Sequence, residues 1–176
     1  MKTAEDKTGT TIWFTGLSGS GKTTMANHLQ RVLLSRDVPS VILDGDEVRK
    51  TINNDLGFTI SDREENNRRI AEIAKIINNS GVTSLCAFIT PTNKIRENIR
   101  RIVGADNFVL VFVDTPIAIC EKRDPKLLYK KAKDGKVKNF SGITSIFEKP
   151  TNADIILDGL KSVDENIDKL LFELKY

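Results

Sequence analysis

Short apolar runs rich in Val, Ile and Phe punctuate the chain at TIWFT (11–15), VIL (41–43), VTSLCAFI (82–89), NFVLVFV (107–113) and DIILD (154–158). Strands that are apolar throughout suit a sheet buried on both faces. When helical stretches separate them they pair in parallel, because parallel neighbours need a crossover. The pattern therefore predicts an α/β fold, with a first helix from Thr24 to about Leu34. Ser61 with Glu64 three residues on reads as a capping box, and Ile70, Ile73, Ala74 and Ile77 keep helical spacing until Gly81 stops the run. Val163, Ile167, Leu170, Leu171 and Leu174 form an amphipathic period that suits a last helix closing the sheet and offers a surface for a homodimer. Residues 123–150 stand apart as polar, basic and weakly periodic, and a connection that long inside a compact domain is usually functional, often a lid. No repeat, low-complexity tract or Pro/Gly-rich linker divides the chain, so residues 1–176 read as a single domain.

Composition narrows this further. A hydrophobic share of 39% and a charged share of 29% are ordinary for a soluble globular chain and argue against disorder. The formal net charge of +3 is too mild for a nucleic-acid binder, although local lysine and arginine clusters can still serve an anionic ligand. Cys86 and Cys120 have no metal or redox spacing and read as small, reduced core residues. The start, MKTAEDKTGT, lacks an apolar leader core, and no later run reaches the roughly 18 apolar residues of a membrane span. A soluble, cytoplasmic protein without membrane or nucleic-acid partners is expected. His28 is the only histidine, without a partner in ligand spacing, and Trp13 alternates with Phe14 in the first strand, so both read as structural.

Directly after the first strand comes Gly16-Leu17-Ser18-Gly19-Ser20-Gly21-Lys22-Thr23, a full match to G-x-x-x-x-G-K-[ST], followed by Thr24. The glycines let successive backbone amides face one anion, Lys22 reaches β- and γ-phosphates, and the Thr23 hydroxyl is placed to ligate Mg²⁺. The motif lies between a strand and a helix, as its mechanism requires. The expected fold is thus a P-loop NTPase-type parallel β-sheet with helices on both faces and a basic lid, using ATP and Mg²⁺. Guanine recognition is not supported, since Asn93-Lys94-Ile95-Arg96 lacks the aspartate of N-K-x-D. A small kinase needs an acceptor site by the γ-phosphate, an acid to orient the hydroxyl, and a mobile lid.

The acid has two candidates, Asp44 and Asp46, at the end of the second strand where ligands bind open α/β sheets. Two adjacent carboxylates repel unless a cation or proton donor comes between them. One suits a metal-bound water and the other the acceptor hydroxyl, and the sequence leaves open which does which. A strand-end turn in which Asp46 caps the next helix is the plainer alternative.

These residues resemble the adenylyl-sulfate (APS) kinases, which phosphorylate the 3′-hydroxyl of adenosine 5′-phosphosulfate with MgATP. The resemblance runs from Thr11 to about Pro150 through GLSGSGKTT, LDGDEVR, NDLGF, DREENNRR, AFITP, VFVDTP, CEKRDPK and LYKKAKDGKVKNFSGI. It implies a small-molecule acceptor site lined by Asp46, Arg49, Phe58, Arg63, Asn66, Ile89 and Thr90. It also implies a lid with Arg123 near the ATP adenine and with Lys126, Asn139 and Phe140 against APS. Arg49 and Arg63 can fork onto phosphate or sulfate oxygens, and Phe58 and Phe140 offer faces for a base, with core packing and exposed helix ion pairs as their plainer alternatives. Lys130, Lys131, Lys133, Lys136 and Lys138 read as a solvated cationic stretch that attracts anions collectively. Thr90 stands where the family has Ser in F-I-S-P, the residue proposed to carry a phosphate; the hydroxyl survives, and direct transfer needs no such intermediate. Further departures at Thr92, Leu127 and Thr144–Glu148 cluster around the acceptor site and lid, and those around Thr90, Thr92 and Leu127 motivate the first of two alternatives; the intact Lys22, Thr23, Asp44 and Asp46 speak against the second. The first is a related acceptor such as cytidine diphosphoramidate, the second a catalytically silent nucleotide-binding module.

Overall fold

The computed structural model describes residues 8–125 and 127–176. Five strands, β1 (Thr11–Thr15), β2 (Ser40–Asp44), β3 (Thr83–Ala87), β4 (Phe108–Asp114) and β5 (Ile155–Asp158), form a parallel sheet in the order β2-β3-β1-β4-β5. Each apolar run of the sequence became a strand, with shifts at the ends. β3 stops at Ala87, two residues short of its run, and by Thr90 the backbone has turned to a left-handed φ of 47°.

Seven helices accompany the sheet among the described residues: α1 (Lys22–Ser35), α2 (Gly45–Val48), α3 (Ile60–Asn79), α4 (Asn93–Val103), α5 (Ile117–Arg123), α6 (Leu128–Lys133) and α7 (Val163–Leu174). Alternation along β1 explains the layers. Ile12 and Phe14 pack with Met25 and Leu29 of α1 and Leu170 of α7, while Trp13 packs with Ile70 and Ala74 of α3 and Ile95 and Ile99 of α4. Successive side chains point to opposite faces, so a strand covered on both must be apolar throughout. Burial of one such leucine or isoleucine contributes about 1.5–3 kcal/mol relative to exposure.

The start of α3 differs from the expectation. Thr59, not Ser61, is the N-cap: its hydroxyl accepts from the Asp62 amide at 3.1 Å, and the Asp62 carboxylate accepts from the Thr59 amide at 3.1 Å. The expected Ser61–Glu64 box does not form, because the helix already begins at Ile60. Asn79 ends it, and Gly81 then takes a φ of 80°, matching the expected stop. α4 sets Ile95, Ile99, Ile102 and Val103 on one face at helical spacing; the Thr92 hydroxyl caps it and Gly104 (φ 101°) follows its end.

Within 123–150, α6 is followed by irregular chain whose residues Tyr129, Ala132 and Phe140 build a small third core with Cys120. Glu148 returns the chain to the sheet edge, its amide donating to the Pro91 carbonyl at 2.8 Å. Parallel pairing places Thr15, Asp44 and Ala87 at one edge of the sheet. The loops leaving β1, β2 and β3 therefore meet there.

Candidate active site

Gly16 leaves β1 at φ 152°, and a Cβ there would lie 2.7 Å from the Ser20 hydroxyl and 2.8 Å from the Val113 carbonyl. Only glycine lets the loop fold this tightly over the sheet end. Gly16 thus sits under the loop, whereas Ser18 to Thr24, with Gly19, Ser20, Gly21, Lys22 and Thr23 between, line a cavity of about 1350 Å³. Gly21, at φ 105°, precedes the first turn of α1, whose amides lack helical acceptors and suit an anion. The Lys22 ammonium donates to the Leu17 carbonyl at 2.8 Å, which holds it along the loop.

Across from α1, the carboxylate of Asp44 does two things. One oxygen accepts from the Thr23 hydroxyl at 2.6 Å and the other from the Asp46 amide at 2.8 Å, capping α2. The residue that caps α2 is therefore Asp44, not Asp46. Asp46 lies exposed on the first turn of α2, where its charge acts on Arg49. Asp44 is thereby bonded to the P-loop and to the start of α2, while Asp46 sits exposed on α2 and lines the cavity.

That wall carries the cationic cluster. Phe58 is about half exposed, with the Arg49 guanidinium 4.6 Å and the Arg63 guanidinium 5.5 Å from its ring centre. Arg49 donates to the Gly57 carbonyl at 2.6 Å, and Arg63 to the carbonyls of Phe58 (3.2 Å) and Asn139 (3.0 Å). Among the described residues neither arginine makes a salt bridge. Arg63 is only 6% exposed, which removes the alternative of an exposed helix ion pair. Burial, and then the Arg49 charge, lower its pKa to about 10, while burial lowers Arg49 against the pull of Asp62 and Asp46. Both remain charged at neutral pH, and two desolvated cations facing one cavity suit an anion.

Phe140 is nearly buried and meets the Tyr129 ring edge-on at 4.8 Å, so it packs in the lid core while still forming part of the cavity wall. Asn139 takes a left-handed φ of 57° beside it, and Arg123 donates to the Gly159 carbonyl at 2.8 Å near the P-loop end of the cavity. Lys126 lies outside the described residues. The Ile89 carbonyl accepts from the Thr15 hydroxyl at 2.6 Å, fixing the loop after β3. The Thr90 hydroxyl is buried, accepting from the Trp13 indole at 2.9 Å and donating to Asn67 at 3.1 Å.

Four residues escaped the sequence reading: Asn53, Asn67, Tyr129 and the polar role of Trp13. Asn53 donates to the Asn66 side-chain oxygen at 3.0 Å, and the Tyr129 hydroxyl donates to the Ser18 carbonyl at 2.9 Å, tying α6 to the P-loop. Adjacent asparagines in DREENNRR were the only sequence signal, and it pointed to Asn66 alone.

A P-loop at the end of β1, a divided carboxylate pair at the end of β2 and a cationic wall opposite define an ATP-dependent phosphotransferase of the P-loop kinase class. The family model for adenylylsulphate kinase matches residues 8–158. An adenylyl-sulfate kinase of Bacteroides fragilis is 50% identical, covering 97% of this chain and 88% of its own, and one of Yersinia pestis is 48% identical, covering 95% and 78%. The APS kinase of Mycobacterium tuberculosis, solved in complex with AMPPNP and APS, superposes with a TM-score of 0.92 at 41% identity, over 96% of this chain and 98% of that one. The chain belongs to the adenylyl-sulfate kinase family. Among the described residues no helix is long and apolar enough to cross a membrane.

Proposed function

We propose that this chain transfers the γ-phosphoryl of ATP to the 3′-hydroxyl of adenosine 5′-phosphosulfate, giving 3′-phosphoadenosine 5′-phosphosulfate and ADP. The observation that carries the residue assignment is the engagement of Asp44, which accepts from the Thr23 hydroxyl and caps α2, while Asp46 is exposed on the same cavity. ATP lies along the P-loop, its phosphates on the amides of Ser18 to Thr24 and on Lys22, and its base toward Arg123. The acceptor lies across the same cavity, whose volume exceeds the roughly 300–1,000 Å³ of a one-ligand pocket and suits two nucleotides.

Thr23 and Asp44 fit Mg²⁺. They offer two hard oxygens 2.6 Å apart at the mouth of the P-loop. Mg²⁺ needs few protein ligands, because water and phosphate oxygens complete its shell. Held by Thr23 and Asp44, Mg²⁺ would supply positive charge against the β- and γ-phosphates.

Asp46 orients the acceptor hydroxyl and takes its proton as the new P–O bond forms in line with the breaking bond to ADP. Lys22 and the loop amides stabilise charge on the transferring group. Phe58 receives the acceptor base, with Phe140 closing the same space. Arg49, Arg63 and Lys126 meet the anionic tail, helped by Asn66, Asn139 and the loop of Ile89 and Thr90. Thr90 acts here by holding that loop rather than by carrying phosphate, since its only proton is donated to Asn67.

An ADP-release assay across a panel of 5′-modified nucleotides, with wild-type and Asp46→Asn proteins, tests this. Turnover with APS should exceed that with the other acceptors and should fall roughly 100-fold in Asp46→Asn. Retention of more than about a tenth of turnover would remove Asp46 from its role as base.

A further inference from the structure

Asn66 lines the acceptor side of the cavity and is almost fully buried, yet an amide side chain has two chemically opposite ends. Which end faces the nucleotide decides whether the residue helps an anionic acceptor or repels it. A chain of contacts behind Asn66 fixes the choice. Arg69 is clamped by Asp55, with both guanidinium–carboxylate contacts at 2.8 Å, and by Glu65 at 2.8 Å. Its Nη1 also reaches Asn53 at 3.3 Å, and Asn53 is fully buried.

A guanidinium can only donate, so the Asn53 atom facing it must be Oδ1. Asn53 Nδ2 then points the other way, to Asn66 at 3.0 Å, and a donor there requires Asn66 to present Oδ1 to it. The remaining end of Asn66, Nδ2, is left on the cavity side. We propose that Arg69 is a positioning residue that, through Asn53, sets the Asn66 amide so that it donates to an oxygen of the acceptor nucleotide. Arg69 does not itself line the cavity. The inference rests on the acceptor-site reading given above and adds to it the device that gives Asn66 its polarity.

The decisive substitution is Asn53→Asp. It keeps shape and strengthens the contact to Arg69, which holds the new carboxylate ionised. Two acceptor oxygens at position 53 compel Asn66 to turn its amide around and put Oδ1 toward the nucleotide. Exchanging a donor for an acceptor opposite an anionic ligand should raise the KM for APS roughly ten- to hundredfold, the range for a charged hydrogen bond. The KM for ATP and the melting temperature should stay near wild type, which a general structural fault would not allow. In an Asn66→Ala background, Asn53→Asp should add no further change, because the amide through which it acts is gone. Arg69→Met, which removes the donor that orients Asn53, should raise the KM for APS in the same direction, and it carries the test if the aspartate protein does not fold. A raised KM in Asn66→Ala beside a wild-type KM in both Asn53→Asp and Arg69→Met overturns the relay alone. Full additivity in the double variant also overturns it. A wild-type KM for APS in Asn66→Ala overturns the acceptor-site assignment of Asn66 and the relay with it.

Discussion

Lys22 works through the loop it sits in, donating to the Leu17 carbonyl, while Asp44 and Thr90 work through partners far off in the chain. Lys22 and Thr23 follow from an eight-residue motif whose backbone mechanism demands them. The division of labour between Asp44 and Asp46 was left open because it depends on Thr23, 21 residues away, and on which residue caps α2. Thr90 is the clearest case. Its hydroxyl is engaged by Trp13, 77 residues earlier, and by Asn67, 23 earlier, and neither partner carries a signature in sequence. If Thr90 holds its loop by these bonds and ATP transfers directly to the acceptor, Thr90→Val should leave two buried polar groups unmatched and lose about 1–3 kcal/mol of stability. It should nevertheless keep more than about a tenth of turnover, well short of the loss expected from deleting a covalent carrier. Urea denaturation alongside the ADP-release assay measures both. A stable but inactive protein would restore the covalent route.

At the scale of elements, the five apolar runs named the five strands because the central strands are covered on both faces and the edge strand β5 still carries an apolar Ile156 on its exposed face. Helices were less legible. α4 was passed over although Ile95, Ile99, Ile102 and Val103 keep helical spacing; its buried face also takes in Arg96, held by Asn93 and the Glu148 carbonyl, so that charge interrupts an otherwise legible stripe. The cap of α3 was misplaced because TISDREE contains both Thr59-x-x-Asp62 and Ser61-x-x-Glu64. Arg49 draws in the Gly57 carbonyl, fixing the chain just before Thr59. The lid was visible as a basic segment, but its attachment was not: Tyr129 anchors α6 by one hydroxyl bond to Ser18 in the P-loop. Tyr129→Phe keeps the edge-on packing on Phe140 and removes that bond together with the hydroxyl's contact to the Cys120 thiol. One net hydrogen bond corresponds to about 0.5–1.5 kcal/mol, so the KM for ATP should rise about two- to tenfold with little change in melting temperature. An unchanged KM for ATP would mean that the tether does not shape the nucleotide site.

For the molecule as a whole, the net charge of +3 says less than the sorting of charge. Among the described residues Arg49 and Arg63 on the cavity wall form no salt bridge, whereas Arg68 and Arg69 on the outer side of α3 share Glu65, and Arg69 also pairs with Asp55. Arg68 and then Arg69 hold the Glu65 carboxyl at about 2, against 4.5 for a free glutamate; the Thr59 hydroxyl lowers Asp62 and the Arg69 guanidinium lowers Asp55. Each is an acid whose folded pKa is depressed. Each therefore binds fewer protons folded than unfolded, and its stabilisation is present above the unfolded value and lost as pH falls toward the folded one. For Glu65 that window runs from 4.5 down to about 2. The pairs are solvent-exposed, so the effect is small at each site and weakens with salt. Wild type should be more stable than Glu65→Gln in urea at neutral pH, and the difference should shrink as pH drops through the window. A gap that stays constant to about pH 3 would show that Glu65 acts through packing and not through its charge. The same outer pairs hold Arg69 in place behind Asn53, so loss of Glu65 charge should also raise the KM for APS more than the KM for ATP. Acid stability and acceptor recognition would then share one guanidinium.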